Sequence, residues 1–234
     1  MKLRIEDGGV YHIFNRSIAN FVIFHTESDY RRIICAFSFF QWRDLPCSFN
    51  RLLKRIETGQ LTEKDILKKQ IRLPRTQIIA YCLMPTHLHM ILTQITADGI
   101  AQYMKNVQNS YTRYFNTKYH RKGPLWESRY KKVRVTTDNQ LLHLTRYLHL
   151  NPVTAHLVDD PEQWPYSSYH EYLNRIPADE RICGYEDVLE VKPRSYQKFV
   201  RERIHDQRDI AALKKFHLED CGDHLYAKIP SVQS

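Results

Sequence analysis

Val10 to Arg16 (VYHIFNR) alternates apolar and polar side chains, and that two-residue period predicts a β-strand. From Glu27 to Trp42 the period changes. Ile33, Ile34, Phe37 and Phe40 recur at helical spacing, with Ser28 as the candidate cap. Residues 43–75 are less regular, contain Pro46 and Pro74, are rich in Lys and Arg, and read as a helical insertion between core elements. Gln77 to Met84 and His87 to Gln94 are β-rich runs broken by Pro85 and Thr86, which predicts a hairpin. Asp98 can cap a helix whose apolar positions are Ile100, Tyr103, Val107, Tyr111 and Tyr114. Gly123-Pro124 marks a loop, and Arg129 to Val135 reads as a fourth, strongly basic strand. Thr137 and Gln140 form a capping box ahead of a helix that buries Leu141, Leu144 and Leu148. Pro152 is expected to end or kink that helix.

The element order β-α-β-β-α-β followed by a helix predicts an α+β fold. It fits a ferredoxin-like split βαβ antiparallel sheet with helices on one face, plus a C-terminal mainly helical extension. The sheet domain is placed at residues 1–156, including the basic insertion, and the extension at 157–234, with a helix starting near Pro193. No internal repeat or low-complexity tract interrupts this plan.

Composition narrows the function classes. The chain has 234 residues and a formal net charge of +9, so its electrostatic preference is for polyanions. No apolar run reaches the roughly 18 residues a membrane span needs. The N-terminus lacks the apolar stretch and small-residue cleavage site of a secretory signal, so a cytoplasmic protein with no membrane partner is expected. Five scattered cysteines without a CxxC pair predict free thiols rather than a disulfide framework or a zinc knuckle.

The distribution of charge is more informative than its sum. Between Lys105 and Arg134 nine Lys and Arg face a single acid, Glu127, with Tyr111, Tyr114, Phe115, Tyr119, Trp126 and Tyr130 interleaved. Cations that neutralise phosphates beside rings that stack on bases suit single-stranded nucleic acid. A solvated face whose aromatics point into the core would produce the same string.

His87-Leu88-His89 lies on a predicted strand, so alternation puts both imidazoles on one face, about 7 Å apart along the chain. Such a pair can hold a divalent cation, although HxH alone occurs often by chance in a chain with 12 histidines. Tyr147 and Asn151 are four residues apart on the last predicted helix and share its face, with His143 one turn earlier. A tyrosine hydroxyl that attacks phosphorus needs the phosphate held and polarised. A metal on His87, His89 and the Asn151 amide would do this and keep positions open for phosphate oxygens. The bland reading of Tyr147 is a half-buried ring with its hydroxyl in water.

PTHLHMIL, RYLHLNPV and WPYSSY, together with the opening YHIFNRSI and the stretch GPLWESRYKKVRV, resemble the REP-associated tyrosine transposases of the single-tyrosine HUH transposase superfamily. The resemblance covers roughly residues 8–172. It implies that His87 and His89 are the HUH histidines, Tyr147 the nucleophile and Asn151 the third ligand of a Mg2+ or Mn2+ ion. Classical insertion-sequence members carry Gln where this chain has the shorter Asn151. The implied chemistry is nicking and joining of single-stranded or hairpin DNA from palindromic repeats through a 5′-phosphotyrosine, without a small-molecule cofactor. His143 is a candidate helper in deprotonating Tyr147. Arg113, Lys118, Arg121, Lys122, Trp126, Arg129, Lys131 and Lys132 are the candidate DNA contacts, with Trp126 either a stacking platform or a core anchor. Two other readings remain open at this point: a DNA- or RNA-binding regulator without catalysis on the same fold, and a small metal-dependent hydrolase, for which ligands and a general base are too few. Monomer and homodimer are equally compatible with the sequence.

Overall fold

The computed structural model describes residues 5–43, 45, 47–62, 73–204 and 206. Parts of the basic insertion, Cys221 and the end of the C-terminal extension lie outside them.

A four-stranded antiparallel sheet forms the centre, with strand order β2-β3-β1-β4, the ferredoxin-like order. Its strands are β1 (Val10–Arg16), β2 (Thr76–Met84), β3 (His87–Gln94) and β4 (Lys131–Val135). β1 forms where the period-2 pattern places it. β4 begins two residues later than the sequence suggests, because Asn15 Nδ2 donates to the carbonyls of Ser128 (2.8 Å) and Arg129 (3.0 Å) and holds that stretch as a loop. β2 and β3 make the expected hairpin, with Cys82 opposite His89 and Met84 opposite His87.

Six α-helices are described: α1 (Glu27–Phe40), α2 (Phe49–Glu57), α3 (Gly99–Lys118), α4 (Asp138–Thr154), the single turn α5 (Tyr169–Tyr172) and α6 (Pro193–Arg201). The insertion is therefore helical over α2. Thr26, not Ser28, is the N-cap of α1, and the buried Asp29 carboxylate accepts from the backbone N–H of Thr26 (3.0 Å) and of His25 (2.9 Å). Asp98 occupies the cap position of α3 but has φ 57° and makes no side-chain cap bond. Gly99 begins that helix because a Cβ there would lie 2.0 Å from the Arg75 carbonyl oxygen. Thr137 caps α4 by accepting from Gln140 N, and the helix runs two residues beyond Pro152.

Helices on one face account for α1 and α3, which pack on each other over the side bearing Tyr11, Ile13 and Met90. α4 instead crosses the opposite side, where its Tyr147 meets histidines of β1 and β3. The chain beyond residue 156 continues into the same core. Leu83 N donates to Tyr166 O (2.9 Å), Ser168 N to Tyr81 O (3.0 Å) and Gly184 N to Ile78 O (2.9 Å), so this segment covers the open edge of β2. Tyr169, Tyr172, Tyr196 and Val200 are buried with the sheet residues in one hydrophobic cluster. Among the described residues no helix is long and apolar enough to cross a membrane.

Candidate active site

Sheet register builds the site. His87 and His89 leave β3 on one face, where Phe14 and Arg16 of β1 are their direct cross-strand partners. His12, two residues before Phe14, shares that face by alternation. The His12 and His89 rings stack at 5.2 Å with a 19° interplanar angle, and the His87 ring meets His89 edge-on at 5.2 Å. His12 Nε2 lies 3.1 Å from His89 Nδ1, and the Thr86 hydroxyl lies 2.9 Å from His87 Nδ1.

Burial sets the protonation of this cluster. It pushes His12 down to about 3 and, reinforced by the Arg16 cation, His87 down to about 4. His89 falls well below the usual imidazole range, first through burial and then through its two histidine neighbours. All three rings are neutral at neutral pH, the state a metal ligand requires.

α4 brings the tyrosine. The Tyr147 ring stands edge-on to His89 at 6.0 Å and to His12 at 6.5 Å. Burial, with a smaller effect of Cys82, pushes its hydroxyl up to about 12. Asn151, one turn on, is 8% exposed, and its Nδ2 has no hydrogen-bond partner. A buried amide left unpaired is costly unless something outside the protein meets it.

The structure thus brings His87, His89 and Tyr147 together from two segments of chain, with Asn151 on the same helix as the tyrosine. His143 does not join them. Its Nδ1 lies 2.7 Å from Arg146 Nη2 and its ring packs on Phe199 at 5.4 Å, so its contacts give no support to a helper role. His12 is the residue that sequence reasoning missed. Its only signal was parity with Phe14 and Arg16 on a strand whose partner and register the sequence leaves open.

Among the described residues no three His, Cys, Asp or Glu side chains are grouped to hold a metal ion. A cation here would depend on two imidazoles and an amide. The imidazoles fit, since both histidines are engaged by protein at Nδ1, which leaves Nε2 available, and Asn151 would add its amide oxygen, beside an Nδ2 that has no partner.

The basic segment sorts into two groups. Arg113, Lys122, Arg129 and Lys131 are exposed, and Lys132 is half-buried. Lys118 is committed elsewhere, with its Nζ 2.6 Å from the Asp29 carboxylate and also bonded to Thr26, Ser28 and Tyr114. Arg121 donates to Asn116 Oδ1 (3.2 Å) and sits 5.7 Å over the Phe21 ring. Trp126 is the core anchor of its two expected roles, being 8% exposed, donating from Nε1 to Gln108 O and packing near Tyr111. The exposed ring beside these cations is Phe21, at 50%, presented by two consecutive left-handed residues, Ala19 (φ 51°) and Asn20 (φ 55°). The loop around Trp126 is fastened to the histidine end of the sheet. Ile18 N donates to Leu125 O, Glu127 N donates to Arg16 O, and Arg16 forms an ion pair with Glu127.

Comparison with known proteins agrees with this geometry. Residues 54–151 match the family model described as Transposase IS200 like, a span that includes His87, His89, Tyr147 and Asn151. The resemblance to REP-associated tyrosine transposases also stands. The chain is 23% identical over 100 residues to the REP-associated tyrosine transposase of Escherichia coli, covering 42% of this chain and 58% of that protein. It is 25% identical over 104 residues to a Haemophilus influenzae protein provisionally given the same name, covering 40% of this chain and 59% of that one. The match therefore spans less than two thirds of either relative. A solved structure of a REP-associated tyrosine transposase bound to a REP hairpin shares the fold, with a TM-score of 0.52 at 15% identity over 82% of this chain and 97% of that chain.

Proposed function

We propose that this protein nicks and rejoins single-stranded or hairpin DNA with the help of a divalent metal, using Tyr147 as nucleophile. The observation that carries the reading is Tyr147 standing edge-on to His89 at 6.0 Å, with the two residues contributed by separate elements. The Tyr147 oxygen forms a bond to a DNA phosphorus while the bond from that phosphorus to the 3′-oxygen breaks. The product is a 5′-phosphotyrosine, and the tyrosine proton is lost as the departing 3′-oxygen is protonated. A 3′-hydroxyl attacking the same phosphorus reverses the step and joins strands without an external energy source, because one phosphodiester replaces another. His87, His89 and Asn151 would hold Mg2+ or Mn2+, which supplies the positive field that polarises the phosphate and favours the phenolate. Such a field is needed, because burial, with the smaller effect of Cys82, holds the hydroxyl at about 12.

The DNA is placed along the histidine end of the sheet. Lys122, Arg129 and Lys131 are exposed there, and Phe21, rather than Trp126, offers a ring for stacking. The relative solved with a REP hairpin supports hairpin DNA as substrate. A denaturing gel tests the chemistry. Wild-type protein with Mn2+ and hairpin DNA should give a covalent adduct, and Tyr147→Phe should give none while binding DNA with nearly unchanged affinity. An adduct from Tyr147→Phe overturns the assignment. DNA binding by the wild type without any adduct would favour the non-catalytic regulator.

A further inference from the structure

We propose that His12 is a positioning residue that fixes the tautomer of His89 and so keeps the His89 Nε2 lone pair available to a cation. This rests on the functional reading above, in which His89 is a ligand.

Two ring nitrogens 3.1 Å apart can hydrogen-bond only as one donor and one acceptor, so a single proton lies between His12 Nε2 and His89 Nδ1, and a ring that accepts at one nitrogen carries its proton on the other. The two ways of placing it have opposite consequences. If His12 donates from Nε2, His89 must keep its own proton on Nε2 and has no lone pair left for a cation. If His89 donates from Nδ1, its Nε2 is a free donor of electrons, and His12 carries its proton on Nδ1. Only the second arrangement makes His89 a ligand. Gripping a ligand histidine through its other ring nitrogen is also how second-shell partners orient such rings.

His87 shows the same device with a different partner, the Thr86 hydroxyl at its Nδ1, 2.9 Å away. Both site histidines are thus held at Nδ1 from within the protein. Position 12 is suited to this because β1 pairs directly with β3. His12 lies diagonal to His89, and the two rings stack at 5.2 Å. His12 is 1% exposed, so bulk solvent does not compete with it as acceptor in the wild-type fold.

Long-range 1H–15N spectra of the metal-free protein at neutral pH read the tautomers directly. His89 and His12 should both be protonated at Nδ1. His12→Gln retains an acceptor at the amide oxygen, and His12→Leu removes it. Mn2+ affinity measured by calorimetry should fall about 10–100-fold in His12→Leu, the range for loss of such a partner, and stay within a few-fold of wild type in His12→Gln. An Nε2–H tautomer for His89 in the wild type, or unchanged Mn2+ affinity in a folded His12→Leu, overturns the proposal. If His12→Leu does not fold, the wild-type spectrum and the rescue by Gln decide. Wild-type protein that binds no Mn2+ would instead defeat the metal reading, and the spectrum would still judge His12.

Discussion

Glu171 shows how far a single residue can be pushed by its surroundings. It is 4% exposed, and its Oε2 accepts from Cys183 N (2.9 Å) and Ile182 N (3.1 Å). Burial still wins, and its pKa rises to about 7. The folded state therefore favours the protonated acid. That contribution is complete below the unfolded value of about 4.3 and is lost as pH rises through about 7. The buried histidines act oppositely below their unfolded value of about 6.5, because the folded state prefers them neutral. The discriminating quantity is thus the difference between wild type and Glu171→Gln in urea unfolding. The variant should gain on the wild type between pH 5 and 8, by up to about 3 kcal/mol at roughly 1.4 kcal/mol per pKa unit. Parallel curves would show that Glu171 is not the titrating group. Lys118 is the second residue whose surroundings change its reading. Burial alone would raise the Asp29 pKa, but bonds from Lys118, Tyr119, Tyr114 and the Thr26 backbone bring it far below the ordinary range. Removing one partner of a buried pair typically costs about 3–5 kcal/mol. With Lys118 30% exposed, Lys118→Met should destabilise by about 2 kcal/mol, discounted for solvent screening. DNA affinity measured on the folded fraction should hardly change, and a large loss of affinity would return Lys118 to the DNA interface.

At the scale of elements, Trp126 takes the second of its two expected roles, and the proposed stacking ring is Phe21 on a neighbouring turn. Trp126 anchors its loop under α3, so Trp126→Ala should cost about 3–5 kcal/mol of stability and leave the affinity of folded protein nearly intact. Phe21→Ala should keep the melting temperature and weaken single-stranded DNA binding by about 1–3 kcal/mol. The reverse pattern in thermal melts and binding titrations would restore Trp126 as the platform. This pair also shows what the sequence could convey. Regular elements were legible because period reports burial: β1, the β2–β3 hairpin and α3 all fall where alternation or helical spacing puts them. His87, His89 and Tyr147 were legible as motif residues. His12 was not, because its role depends on which strand lies beside β3 and in what register. Thr26 displaced Ser28 as cap because Asp29, three residues on, closes the turn from inside the core. The segment after residue 156 carries no sustained period, so nothing local reveals that Tyr169, Tyr172 and Tyr196 join the sheet's core.

For the whole molecule, the net charge of +9 describes a general attraction to polyanions, and the proposed function assigns the binding track to the exposed cations of one loop. The basic loop is fastened to the end of β1 by Glu127 N to Arg16 O and by the Arg16–Glu127 ion pair, which also occupies the one acid of that segment. Arg16 is the cross-strand partner of His87, so a strand following the exposed cations arrives at the histidine end of the sheet. This path calls for an accessible phosphate with unpaired bases beside it, a form that a hairpin with a single-stranded flank provides and a continuous duplex does not. Affinity should therefore be higher for the flanked hairpin than for a perfect duplex of the same sequence. Each phosphate contact on a single strand releases about 0.7 of a counterion. Changing Lys122, Arg129 and Lys131 together to Gln should therefore flatten the plot of log affinity against log salt by about 2 units. The same triple variant should still form the Tyr147 adduct at saturating DNA, because in the proposed reaction these cations only position the strand that Tyr147 attacks. Equal affinity for hairpin and duplex, or an unchanged salt slope in the triple variant, would place the DNA on another surface.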